Sequence, residues 1–231
     1  MKSGKPSLRT KTWTSNARKR TTHKRTLTLE QFEARQLMAI TPFNIHVYDG
    51  TDNNITSADN ARGSSVTGAP TNPIGQNAQP ATIIIADIGS NTDGSFPGQS
   101  PVPAPGGGEN YAVFLVGSIR VDNTNNPGGL WTFGTHADDA SRIRIDLDQD
   151  GILEGSLTSL GGIANETVAY NGNCCAATTG NPVAIPNGTY KIEMVFTEGG
   201  GGDYGEFFYA PGNPGFSTTN YALLGDASKG I

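Results

Sequence analysis

Beyond residue 42 the apolar side chains fall into short runs, and the runs end at Gly, Pro, Asn or Asp. Alternation with a period of two places one face of a strand on a core, whereas a helix needs an apolar residue every three or four positions. The clearest run points Tyr190, Ile192, Met194 and Phe196 one way and Lys191, Glu193 and Thr197 the other, with Val195 as the apolar exception. It predicts a half-buried strand. Ile45–Tyr48, Tyr111–Val121, Trp131–Thr135, Arg142–Ile145 and Gly205–Ala210 also read as strands, and Ala222–Leu224 as a short last one. Thr82–Ala86 is continuously apolar, which suits a buried strand. Ile143–Asp146 and Ile152–Leu157 flank Asp148-Gln149-Asp150-Gly151, and Asp-Gly between alternating runs signals a hairpin. Only Ala58–Arg62 suggests a helix in this part of the chain. Many strands with Gly- and Pro-rich turns and no long helical period predict an all-β sandwich or barrel.

Charge divides the chain. Residues 1–35 hold ten Lys or Arg and two acids, while the rest holds six Lys or Arg and nineteen acids. Residues 1–40 therefore read as a basic leader, disordered over 1–26. Residues 41–211 form the β domain, and 212–231 a tail that carries the short last strand. The acidic domain is a poor match for nucleic acid, whose phosphates need Lys and Arg. No run approaches the roughly 18 apolar residues of a membrane-spanning helix, and the leader lacks the apolar core of a standard secretory signal. The only cysteines, Cys174 and Cys175, are adjacent. They leave open a vicinal disulfide, an intermolecular bond or two free thiols.

The stretch Gly117–Asp146 is the most informative about function. A strand runs into a turn at Asn126-Pro127-Gly128-Gly129, then an aromatic strand ends near Thr135, then Asp138 and Asp139 precede the next strand. Adjacent carboxylates between two strands repel each other, and a hard cation such as calcium removes that cost. The alternative is that one aspartate caps a turn and the other is solvated. His136, two residues earlier, either lines the site or is an ordinary loop residue. Asp146, Asp148, Asp150 and Gly151 match positions 1, 3, 5 and 6 of a calcium loop, but position 12 is Leu157 where a glutamate is expected. That segment reads as a hairpin first and as a second metal site second. No nucleophile elbow, Walker A or dinucleotide motif is present, which gives no basis for an enzyme.

Gly117–Asp146 resembles the centre of PA14 domains, and Gly188–Tyr209 (GTYKIEMVFTEGGGGDYGEFFY) resembles their later strands and loop. The resemblance covers most of residues 44–210 and departs from the family in a longer insertion at 146–177. It implies a β-sandwich or barrel in which a cis peptide joins Asp138 to Asp139 and both hold calcium. It also implies ligands from the loop after the Tyr190–Thr197 strand. Here these are Glu198, where lectin-type members often carry Asn, and the backbone carbonyls of Gly200 and Gly202. In those lectins open positions on the ion take sugar hydroxyls. By that resemblance the loop Gly199–Tyr204 shapes specificity, with Asp203 and His136 beside it, and Tyr204 either stacks on a sugar or packs on its own loop. Fungal flocculin-type members carry a Cys-Cys pair at a similar place, with distant partners that this chain lacks.

The leader segment Leu29, Glu30, Phe32, Glu33, Arg35, Leu37, Met38 and Ala39 resembles the N-terminal motif of exported planctomycete proteins. It implies a secreted or cell-surface protein. The expected function is non-enzymatic, calcium-dependent carbohydrate binding or adhesion at the cell surface, with glycoconjugates or cell-envelope components as partners. The rivals are a structural module of the envelope that holds calcium for stability, and an accessory domain of a glycoside-processing enzyme.

Overall fold

The computed structural model describes residues 42–49, 51–62, 82–89, 94–96, 109–155, 160 and 165–226. In chain order the elements are β1 (Phe43–Asp49), α1 (Ile55–Arg62), β2 (Thr82–Ile83), β3 (Asp87–Gly89), β4 (Tyr111–Val121), β5 (Leu130–Asp138) and β6 (Ala140–Ile145). They continue with β7 (Thr167–Asn171), β8 (Thr178–Thr179), β9 (Val183–Ala184), β10 (Gly188–Glu198), β11 (Tyr204–Pro211) and β12 (Ala222–Leu223). The first sheet runs β2-β1-β4-β10-β6-β7 and the second β12-β11-β5-β8, with β3 added to β11 and β9 to β5. All the pairings are antiparallel. This is the all-β, two-sheet architecture expected from the alternating runs.

The main core lies between the sheets. Val113, Leu115, Ile192, Met194 and Phe196 come from the first sheet and Trp131, Phe133, Phe207 and Tyr209 from the second. Each such side chain contributes about 1.5–3 kcal/mol when fully buried. The β4–β5 turn falls where the sequence places it. The Gly129 amide donates to the Asn126 carbonyl at 2.7 Å, and Gly129 has φ +60, a conformation that glycine adopts without steric cost.

Three expectations are corrected. Thr82–Ala86 is not one buried strand. Only Thr82 and Ile83 pair, with β1; Ile84 is 54% exposed, and the chain then crosses to the other sheet, where β3 pairs with β11. A change of sheets needs a bend, and the bend turns one isoleucine outwards.

Among the described residues the Asp-Gly hairpin is also absent. Residues 152–155 form no strand, and β6 pairs instead with β7 and β10. Acidic side chains bond to amides within the loop that follows β6.

Nor is β10 half-buried. Its second face is closed over by α1, and Val195 packs there with Tyr48, Ile55, Ala58, Phe114 and Ala140. Glu193 on that face is 1% exposed. It meets three arginines: Arg144 donates to Oε1 at 2.6 and 3.1 Å, Arg142 donates to Oε1 at 3.2 Å, and Arg62 pairs with Oε2. Arg142 also makes a two-pronged pair with Asp59 of α1, at 2.7 and 2.8 Å. The alternating charges on β6 and β10 therefore neutralise one another beneath a helix.

Residues 212–226 pack on the β domain. It carries the expected short strand, Tyr221 and Leu224 are buried, and Leu224 bonds backbone to backbone with Ala86 and Phe207, each at 2.8 Å. The basic leader, its motif and most of the loop 89–109 lie outside the described residues.

Candidate metal centre

The acid pair sits where the chain passes from one sheet to the other. Asp138 ends β5 and pairs with Tyr204 in the second sheet. Ala140 begins β6 and pairs with Thr197 in the first. Asp139 is the single linking residue; its amide donates to the Thr197 carbonyl at 2.6 Å, and the Asp138–Asp139 peptide is cis. Glu198 is the last residue of β10, one position past Thr197. The register that joins β6 to β10 thus brings the third carboxylate to the pair. Oxygens of Asp138, Asp139 and Glu198 lie within 4.8 Å of one another.

Glu198 decides what this cluster can do. It is 2% exposed, and neither carboxylate oxygen has a hydrogen-bond partner. Burial pushes its carboxyl up to about 7; Asp139, Asp138 and Asp203 push the same way, opposed by the nearby Gly200 amide, which does not reach hydrogen-bonding geometry. Every charged side chain acting on it is another acid. A buried, unpaired carboxylate among like charges is costly. A divalent cation with oxygen ligands answers that arrangement directly, so these residues fit calcium.

The glycine loop closes the site on one side. The Gly199 amide donates to Asp139 Oδ2 at 2.7 Å. A side chain on Gly202 would come within 3.0 Å of Asp138 Oδ2, and one on Gly199 within 2.7 Å of Asn53. Gly200 lies against Glu109 in the same sense, at 3.3 Å. Asp203 accepts from the Tyr111 hydroxyl at 3.3 Å. Asn53 and Glu109 border the site from segments that no motif ties to it; nothing in their local sequence signals the role.

Cys174 and Cys175 are joined in a vicinal disulfide, one of the three states that the sequence leaves open. The Cys174 sulfur stands 2.8 Å from Asp138 Oδ1. A disulfide sulfur has no proton to donate, so this is a contact at the rim of the site and not a hydrogen bond.

Two sequence-predicted ligand residues face elsewhere. Tyr204 is 8% exposed, its ring stands edge-on to His136, and its hydroxyl meets His136 Nε2 at 2.9 Å. Of the two roles open to it, packing is the one observed. His136 is buried as well. Its Nδ1 meets Ser95 Oγ at 2.9 Å and Glu206 Oε2 at 3.2 Å. Serine and acid share one ring nitrogen, whereas a catalytic triad places them on opposite nitrogens, the acid orienting the ring while the other nitrogen takes the serine proton.

Glu206 holds the segment 94–96 by accepting from the Ser95 and Phe96 amides at 2.6 and 2.8 Å. Asp87, its partner across β3 and β11, is pushed up to about 7 by burial and then by the Glu206 charge. The native protein therefore keeps a proton on Asp87 that the unfolded chain releases near pH 3.8. Stability that is full below that pH is lost as the pH rises towards 7. Asp87→Asn is expected to match the native protein at pH 4 and to exceed it at pH 8 by on the order of 1–3 kcal/mol. Urea unfolding at both pH values checks this; equal stabilities at pH 8 would contradict it.

Two antiparallel sheets with a carboxylate cluster at the crossover between them define an all-β domain with a candidate hard-cation site at one sheet end. No known family model matches the sequence, and no curated protein matches it. Solved structures similar to it include the PA14 domain of the MpAFP antifreeze protein, with 17% identity, 79% of this chain and 86% of that chain covered, and a TM-score of 0.44. Another is the Epithelial Adhesin 9 A domain from Candida glabrata in complex with Galb1-3GlcNAc, with 12% identity, coverage of 81% and 92%, and a TM-score of 0.44. A third is an anti-sigma factor domain-containing protein from Clostridium clariflavum, with 11% identity and a TM-score of 0.40; 80% of this chain covers 45% of that one.

Proposed function

We propose that this protein is a non-enzymatic, calcium-dependent carbohydrate-binding or adhesion domain, exported to the cell surface. The observation that carries the reading is the buried Glu198 carboxylate, unpartnered and facing the Asp138–Asp139 pair. Asp138, Asp139 and Glu198 hold the ion. When bound, calcium supplies coordination positions that vicinal sugar hydroxyls fill. Gly199 fixes Asp139 through its amide, and Tyr111 fixes Asp203 through its hydroxyl, so two acids at the site are oriented before any ligand arrives. Selectivity falls to the rim, which is made by the loop Gly199–Asp203, Asn53, Glu109 and the Cys174–Cys175 pair. The sugar part of this reading rests on the PA14 resemblance of the two motif stretches, and export rests on the leader motif. Among the described residues no helix is long and apolar enough to cross a membrane.

A glycan array probed with the full chain tests the reading. Binding to one glycan class is expected in millimolar calcium, with loss of at least tenfold of the signal in chelator and in Asp138→Ala. Binding that persists in chelator contradicts the mechanism. No glycan binding by a calcium-loaded chain turns the reading into that of an envelope module held together by calcium.

A further inference from the structure

We propose that the loop after β6 is a second calcium site, completed by Glu166 from a separate part of the chain. Oxygens of Asp146, Asp148 and Glu166 lie within 4.8 Å of one another, and those of Asp148, Asp150 and Glu154 form an adjoining group. Acidic clusters are common without an ion, so the buried member carries the argument. Asp146 is 4% exposed. Its Oδ2 accepts from the Gly151 amide at 3.0 Å, while its Oδ1 has no partner at all. An orphaned buried carboxylate oxygen costs more than a hydrogen bond returns, and this one belongs to a group of acids whose oxygens converge.

Glu166 supplies what the loop lacks. In a calcium loop counted from Asp146, position 12 is Leu157, where a carboxylate is needed. Glu166 is fully buried and sits just before β7. It accepts from the Leu147 amide with Oε1 and from the Glu154 amide with Oε2, the latter at 3.0 Å. The Ile145 amide donates to the Glu166 carbonyl at 3.0 Å, so the start of the β6–β7 pairing sets this carboxylate beside the loop. The Asp148 amide also bears on this carboxylate; a carboxylate offers about four lone-pair sites, so capacity for a cation remains. Among the described residues Lys191 donates to the Gly151 carbonyl at 2.9 Å, and Arg144, which feels the Glu166 charge, gives its hydrogen bonds to Glu193 and the Leu153 carbonyl, so neither cation pairs with a carboxylate of the loop. Several carboxylates on an irregular loop suit calcium better than magnesium, which demands a small octahedral cage. Bound there, calcium ties the loop to β7 and serves the fold. The assignment is independent of the site at Asp138 and Asp139.

Calorimetric titration of the chelator-stripped full chain with calcium tests the site. Two ions per chain are expected. The Asp138→Ala/Asp139→Ala variant is expected to keep one, and the Asp148→Ala/Asp150→Ala variant to lose one or weaken it at least tenfold. Asp148 and Asp150 are exposed, so this second variant carries the test even where Glu166→Gln fails to fold. Unchanged stoichiometry and affinity in Asp148→Ala/Asp150→Ala overturn the proposal, as does a total absence of calcium in Asp138→Ala/Asp139→Ala. A native chain that binds one ion, lost only in the Asp148→Ala/Asp150→Ala variant, upholds this site and removes the other.

Discussion

Replacing Glu193 by alanine is expected to lower the free energy of unfolding by roughly 3–5 kcal/mol, the usual cost of removing one partner from a buried ion pair. Glu193 is the carboxylate that Arg62, Arg142 and Arg144 share, and all three arginines are themselves buried. Without it Asp59 remains as a partner of Arg142, while Arg62 loses its ion pair and Arg144 keeps one bond from Nη1, to the Leu153 carbonyl. Glu193→Gln retains the shape and removes the charge, so most of the loss is expected there too. Domains of this size are stable by only about 5–15 kcal/mol, so either variant is severe. Urea denaturation checks it, as a lower midpoint at constant slope. A loss below about 1 kcal/mol, the scale of exposed pairs, would show that water reaches the network.

Glu198→Gln is expected to act in opposite directions with and without calcium. In the metal-free chain at pH 8, above the raised Glu198 value of about 7, the substitution removes a buried charge crowded by acids and raises the unfolding temperature. With calcium the order reverses, because an ion bound only to the native state stabilises it by about 2.7 kcal/mol at a free concentration a hundredfold above Kd. The variant forfeits this site's share and keeps that of the loop after β6. Thermal unfolding in chelator and in calcium reads both signs. The same ranking in both conditions contradicts the role given to Glu198.

Most of the strand framework was legible in the sequence, because a period of two survives in Tyr190–Thr197 and Tyr111–Val121 wherever one face meets the inter-sheet core. The Asp138–Asp139 pair and Glu198 were legible through the motifs around them, and the register of β6 on β10 joins them. Burial of the charged face was not legible. Alternation records which side chains are polar, not whether a helix from far back in the chain covers them, and Glu193 and Arg144 look like solvent residues until α1 lies over them. Nor does apolar content show where a strand changes sheets, which is why Ile84 is exposed. Glu166 carries no signal either: its place opposite Asp146 follows from the β6–β7 pairing across an insertion, and calcium-loop spacing looks only within the loop. Tyr204 reads as a surface aromatic beside a glycine loop, but pairing with Asp138 and Gly89 holds it against His136.

Calcium titration by calorimetry on the full chain, beside the Asp138→Ala/Asp139→Ala variant, is the most direct test of the site at the sheet crossover. Saturable binding in the native protein is expected, with one ion fewer in the variant. Identical isotherms for the two proteins, or no heat of binding in the native one, would contradict calcium coordination by Asp138, Asp139 and Glu198.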